Sequence, residues 1–146
     1  MPLTRKDHWA ERHYNDFLLA HAKAPFQWGV MDCALFAADG ILAFTGIDIA
    51  GDFRGKYTTD LGAMRAIRTV TGGSTTADAL TYCSKKYGLE EYTHPLMAKR
   101  GDLVLLEDQG RLIAGLVHLS GRHVISVGED GLLRKPLTTI KRAWRV

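Results

Sequence analysis

The hydrophobic period changes once along this chain, and that single change does most to limit its fold. From Thr4 to Tyr87 apolar residues recur at helical spacings; from Gly101 to Val146 short β-rich runs alternate with turns. Helices first and strands afterwards, without alternation, argue against βαβ units and for an α+β fold in which helices pack on an antiparallel meander. Repeats, low-complexity tracts and an interdomain linker are not seen, so residues 1–146 read as one domain.

The helical half divides at its punctuation. One amphipathic helix is expected over Thr4–Lys23, with Trp9, Tyr14, Phe17, Leu18 and Ala22 inward, and Pro25 ends it. A loop over Phe26–Met31 follows, flexible at Gly29. Asp32 is placed as an N-cap, and Cys33–Phe44 reads as a helix that is apolar nearly all round, hence central and buried, closed by Gly46. Ile47–Thr58 is a loop. Two shorter helices are expected at Asp60–Val70 and Thr76–Tyr87, ended by Gly72-Gly73 and Gly88. The expected strands are Gly101–Asp108, "RLIAGLVHL", "RHVISVG", "LLRKPL" and the terminal "IKRAWRV".

With 146 residues, 46% hydrophobic and 24% charged, the chain has the balance of a globular protein with a real core. A net charge of +3 is too small to argue for nucleic acid, though it suits an anionic partner such as a cell-wall polymer. The N-terminal stretch lacks the apolar core of a signal peptide, and no apolar run approaches the roughly eighteen residues that span a bilayer. Two cysteines, Cys33 and Cys83, make no disulfide framework, and no zinc-ligand spacing is present. No cofactor is expected.

Chemistry, if the chain has any, centres on Cys33. A thiol in the first turn of a helix feels the positive end of the helix dipole, which favours thiolate, while the charge of Asp32 opposes it. Free cysteine is also among the most buried residue types, so a packing role stays open. Cys83 falls mid-helix on an apolar face and reads as packing. A nucleophilic thiol needs a base, and that base needs an orienting group. Of six histidines, His118 and His123 flank the Ser120-Gly121 turn and are the candidates on the sheet. Arg54 in "FRGKY" is a candidate anion contact, and Tyr57 is its candidate loop anchor.

"PFQWGVMDCALFAADGILAFTG", then "KRGDLVLL", then "KRAWRV" together resemble the NlpC-type branch of the papain-like cysteine peptidases, which cleave cell-wall peptides. In that family an aromatic-x-x-Gly loop precedes Asp-Cys at the start of a buried helix, and Gly-Asp opens the first strand of the sheet. With "FRGKY", "EDGLL" and "AWRV", the chain is similar to members encoded in phage and prophage tail gene clusters. The resemblance implies a papain-like domain with Cys33 as nucleophile, and Trp28, Asp32, Arg54 and Tyr57 as candidate binding residues. It also implies a place in the virion at the tail tip, other tail proteins and peptidoglycan as partners, and no nucleic acid or membrane insertion.

The base departs from the family pattern. Family members open the second strand with His-Val-Gly-Ile-aromatic. Setting Gly115 on the family glycine puts Ile113 at the base position and Ser126 near the third catalytic position. Side chains alternate along a strand, so in this register His118 and His123 point away from Cys33. A second register, reading "HVISVG" as a shortened family strand, makes His123 the base. The expectation is therefore a tail-tip protein with a peptidase fold, degenerate at its histidine and acting as a structural or cell-wall-binding part. The alternatives are an active peptidase or amidase that opens peptidoglycan during DNA entry, and an interaction domain with a plug cysteine.

Overall fold

The computed structural model describes residues 3–146. Four helices, α1 (Asn15–His21), α2 (Cys33–Thr45), α3 (Asp60–Thr71) and α4 (Thr76–Tyr87), precede six strands: β1 (Glu90–Glu91), β2 (Leu103–Asp108), β3 (Arg111–Val117), β4 (His123–Gly128), β5 (Gly131–Pro136) and β6 (Ile140–Arg145). The class is α+β, with every strand pair antiparallel.

The last three helices start and stop where their capping chemistry dictates. Asp32 accepts from the Leu35 amide, Thr59 from Gly62, and Thr75 with Asp78 forms a reciprocal capping box. Each ends on a glycine in the left-handed region: Gly46, Gly72 and Gly88. The first expected helix is shorter. Trp9–Tyr14 forms a wide π-helical turn that runs into α1, and Thr4–His8 lies outside it. Tertiary bonds win over helix propensity there. The Lys6 amide donates to the Phe44 carbonyl, and Arg5 donates to Asp102 and to the Val146 carbonyl.

β2 to β5 form the expected meander, but β6 departs from it. The strand order is β1-β6-β2-β3-β4-β5, so the last strand crosses back to pair with β2, and the two-residue β1 covers its far side. Both faces of this sheet are buried. Leu103, Leu105, Ala114, Leu116, Ile125, Val127 and Trp144 pack with the helices around α2. Val104, Leu106, Val117, Val124, Ile140 and Ala143 form a second cluster on the opposite face, joined by Ile113.

α2 lies directly on β3. A Cβ at Gly40 would come within 2.5 Å of Leu116 Cδ1, so the mid-helix glycine is what allows this approach. The β3–β4 ladder spans only Leu116–Ile125 and Val117–Val124; beyond it the strands part. That opening lies under the first turn of α2.

Candidate functional site

Cys33 sits half-buried over the opening between β3 and β4. Its sulfur is approached by the amides of Ala114 on β3 and Ala34 in its own helix. Those amides favour thiolate, but burial outweighs them, and with the adjacent Asp32 charge the thiol is pushed up to about 11. The other edge of the gap is held by Ser126, whose hydroxyl donates to the Ala114 carbonyl. With the ladder ended, a thiol and a hydroxyl stand near the two polar groups of Ala114.

The loop before Cys33 is built around Asp32, which is almost wholly buried. Its carboxylate caps α2 and also accepts from the Gly29 amide (3.0 Å) and from the Tyr57 hydroxyl (2.6 Å). Gln27 and Met31 close the loop by exchanging backbone bonds. Gly29 has φ +82°, and a Cβ there would overlap the Tyr57 carbonyl oxygen, so no other residue fits the crossing without displacing a chain. Burial first, and the Asp32 charge second, push the Tyr57 phenol well above its ordinary range.

A cavity of about 610 Å³ opens beside this loop. Phe26, Trp28, Phe53, Met64, Ile67 and Leu133 supply apolar walls, and both Cys33 and Cys83 reach it. Its charged surroundings are Asp32, Asp60, Asp108, Glu129, Asp130 and Arg111, of which Asp108 is paired with Lys135 at 2.8 Å. Among the described residues, no histidine borders it.

The strand faces differ from the sequence expectation. Side-chain alternation is as expected, with Ile113 opposite in sense to His118, but Cys33 lies on the other face from the one assumed. Ala114, Leu116, Ile125 and Val127 are on the helix side, whereas Ser126 shares the opposite side with Val124. Ile113 packs into the far-side cluster as well as bordering the cavity. The β3 side chains on the Cys33 side that neighbour the thiol are thus Leu112 and Ala114, with Leu116 farther along the same face. Alternation alone fixes which residues go together; it does not say which set meets a given helix.

By the same alternation His118 and His123 are on the helix side, contrary to expectation. They remain apart from Cys33 because of their position along the strand. His118 is four residues beyond Ala114, about 13 Å at ~3.3 Å per residue. The two rings stack on each other, with centroids 4.2 Å apart.

Arg54 does meet anionic groups, but they are this chain's own. It donates to Asp39 at 2.7 Å and to both oxygens of Asp48, tying the 47–58 loop to α2. Asp48 first, and then Asp39, hold its guanidinium firmly charged. Tyr57 is the loop anchor expected of it. Trp28 lines the cavity edge-on to Phe26 (5.1 Å). Asp48, Asp39 and Leu112 were not singled out by sequence reasoning; the Asp48-to-Arg54 spacing within one loop is the signal that could have found the first. No group of three or more potential ligands is placed to hold a metal ion among the described residues, and no helix is long and apolar enough to cross a membrane.

A family described as "Domain of unknown function (DUF6950)" matches residues 4–146. The chain belongs to that family. Its match takes in every helix and strand described above, so the cavity and the thiol lie inside the family domain. No curated protein and no solved structure matches the chain.

Proposed function

We propose that this chain is a phage-type tail-tip protein with an NlpC-type, papain-like peptidase fold that has lost its catalytic base and serves as a structural or cell-wall-binding component. The observation that carries the loss of catalysis is the environment of Cys33. Its thiol is held protonated at neutral pH, and the neighbouring β3 side chains on its side, Leu112 and Ala114, cannot accept its proton. The tail-tip placement rests on the resemblance of "PFQWGVMDCALFAAD", "FRGKY" and "AWRV" to tail-cluster proteins.

What remains at the site suits binding. Trp28, Phe26 and Phe53 offer aromatic walls, and the Asp32–Tyr57–Gly29 bonds fix the loop that carries Trp28. Incubation with purified cell wall tests the reading, wild type against Cys33→Ala. Both proteins are expected to sediment with the wall and neither to clear it. Clearing by wild type and not by Cys33→Ala would replace this reading with the active peptidase. Purified virions should contain the chain; its absence there would remove the tail-tip placement.

A further inference from the structure

The two histidines left without a role at Cys33 make a device of their own. His118 and His123 close the β3–β4 hairpin, the His118 amide donating to the His123 carbonyl at 2.8 Å. Above that bond their rings lie nearly parallel, 21° apart in plane. His118 Nδ1 accepts from the Ser120 amide at 3.0 Å, which puts the proton of the neutral ring on Nε2. His123 Nε2 is buried and has no hydrogen-bond partner.

We propose that the His118–His123 pair is a proton-operated latch on the tip of the β3–β4 hairpin, closed while both imidazoles are neutral and released when either takes up a proton. Protonating His118 at Nδ1 sets an N–H against the Ser120 N–H and removes the acceptor that organises the turn. Protonating His123 places a cation on the face of its neighbour. The acceptor beside His118 Nδ1 is the Ser120 hydroxyl at 3.1 Å, a neutral oxygen that already accepts from the Arg122 amide and does not offset a charge. Arg134 of β5 stands opposite Ile125, on the same side as His123, and repels a charge on either ring. The charges that act on the rings are Arg134 on both and His123 on His118.

The base of the hairpin is anchored by more bonds than its turn. Val117 accepts from the Tyr14 hydroxyl and the Gly101 amide, and donates to Asp102. The Ser120–Arg122 turn is held by the His118 and Ser120 bonds, through Gly121 to His118 and Arg122 to the Ser120 hydroxyl, while Leu119 packs against the core and His123 pairs with Pro136 on β5. Release therefore loosens the Ser120–Arg122 turn and leaves the core intact.

Both rings are lowered from 6.5, by burial first and then by neighbouring positive charge. The folded hairpin thus binds fewer protons than the open one, so its stability is complete above pH 6.5 and falls as the pH drops below it. The latch does not depend on what fills the Cys33 cavity.

NMR titration of the imidazoles and amide exchange between pH 7.5 and 4.5 test it on the whole chain. Both rings should titrate below 6.5. Amide exchange at His118, Ser120, Gly121 and Arg122, corrected for intrinsic chemistry, should rise across that range. His123→Phe keeps a stacked ring that cannot be protonated, and His118→Gln removes the pair from the other side; each should reduce the rise, and the double variant should abolish it. Either ring titrating at or above 6.5, or an undiminished rise in both single variants or in the double variant, would overturn the proposal.

Discussion

Cys33 should alkylate slowly at neutral pH, and the rate can be worked out from its surroundings. With the thiol at about 11 against an ordinary 9.0, the thiolate at pH 7.5 is about a hundredfold scarcer than in an unperturbed cysteine. A more basic thiolate is also the better nucleophile. With a Brønsted slope of about 0.45, that returns roughly an eightfold gain per thiolate. The net expectation is a rate about tenfold below that of an unstructured cysteine peptide, before any further loss from partial burial. The assay is iodoacetamide labelling from pH 6 to pH 11, read at Cys33 by peptide mass spectrometry so that Cys83 is scored apart. The rate should climb through pH 10 without levelling off. A plateau below pH 8 would refute the reasoning, because it would mean that thiolate is already formed at neutrality and that an activating base is present.

Three stability changes follow from the packing, each read by urea unfolding. Asp102→Asn keeps one acceptor but turns an N–H₂ toward two of the four donors now served, Arg5, Val146, Tyr92 and Lys99, so a loss of about 3–5 kcal/mol is expected; a loss below about 1 kcal/mol would contradict it. Ser126→Ala leaves the buried Ala114 carbonyl without its hydroxyl partner, and should cost about 1–3 kcal/mol while leaving Cys33 labelling in the slow regime. Gly29→Ala meets both a left-handed φ and the Tyr57 carbonyl, so about 3 kcal/mol or more should be lost. Wild-type stability in that variant would mean that the loop moves freely.

Local chemistry was legible in the sequence wherever it acts over a few residues. Asp32, Gly46, Gly72 and Gly88 announced the ends of α2, α3 and α4 to within a residue, because a cap needs only its own turn. The hairpin turns at Gly110, Gly121 and Gly131 were legible for the same reason. What failed involved distant partners. Arg5 and Lys6 leave the first helix to reach Asp102 and Phe44, which no spacing within Thr4–Lys23 encodes. β6 returns to β2 because Trp144 fills the helix-side core beside Leu103, a preference of the assembled sheet. At the candidate site, Cys33, Trp28, Asp32 and Tyr57 line one cavity, and Arg54 is turned to Asp39 and Asp48 instead. The face of β3 that they meet could not be read, since it depends on the depth at which α2 settles over Gly40 and Leu116.

The clasp at Asp102 also sets how this molecule bears force. Arg5 near one end and Val146 at the other bind the same carboxylate oxygen, and Arg5 grips the Val146 carbonyl as well. Tension applied between residues 5 and 146 falls first on those few bonds and reaches the sheet only after they part. β6, next in line, is flanked by β1 and β2 and has a pairing ladder on each side to give up. A domain closed in this way yields in two stages when pulled between residues 5 and 146, a small early slip and then the failure of β6.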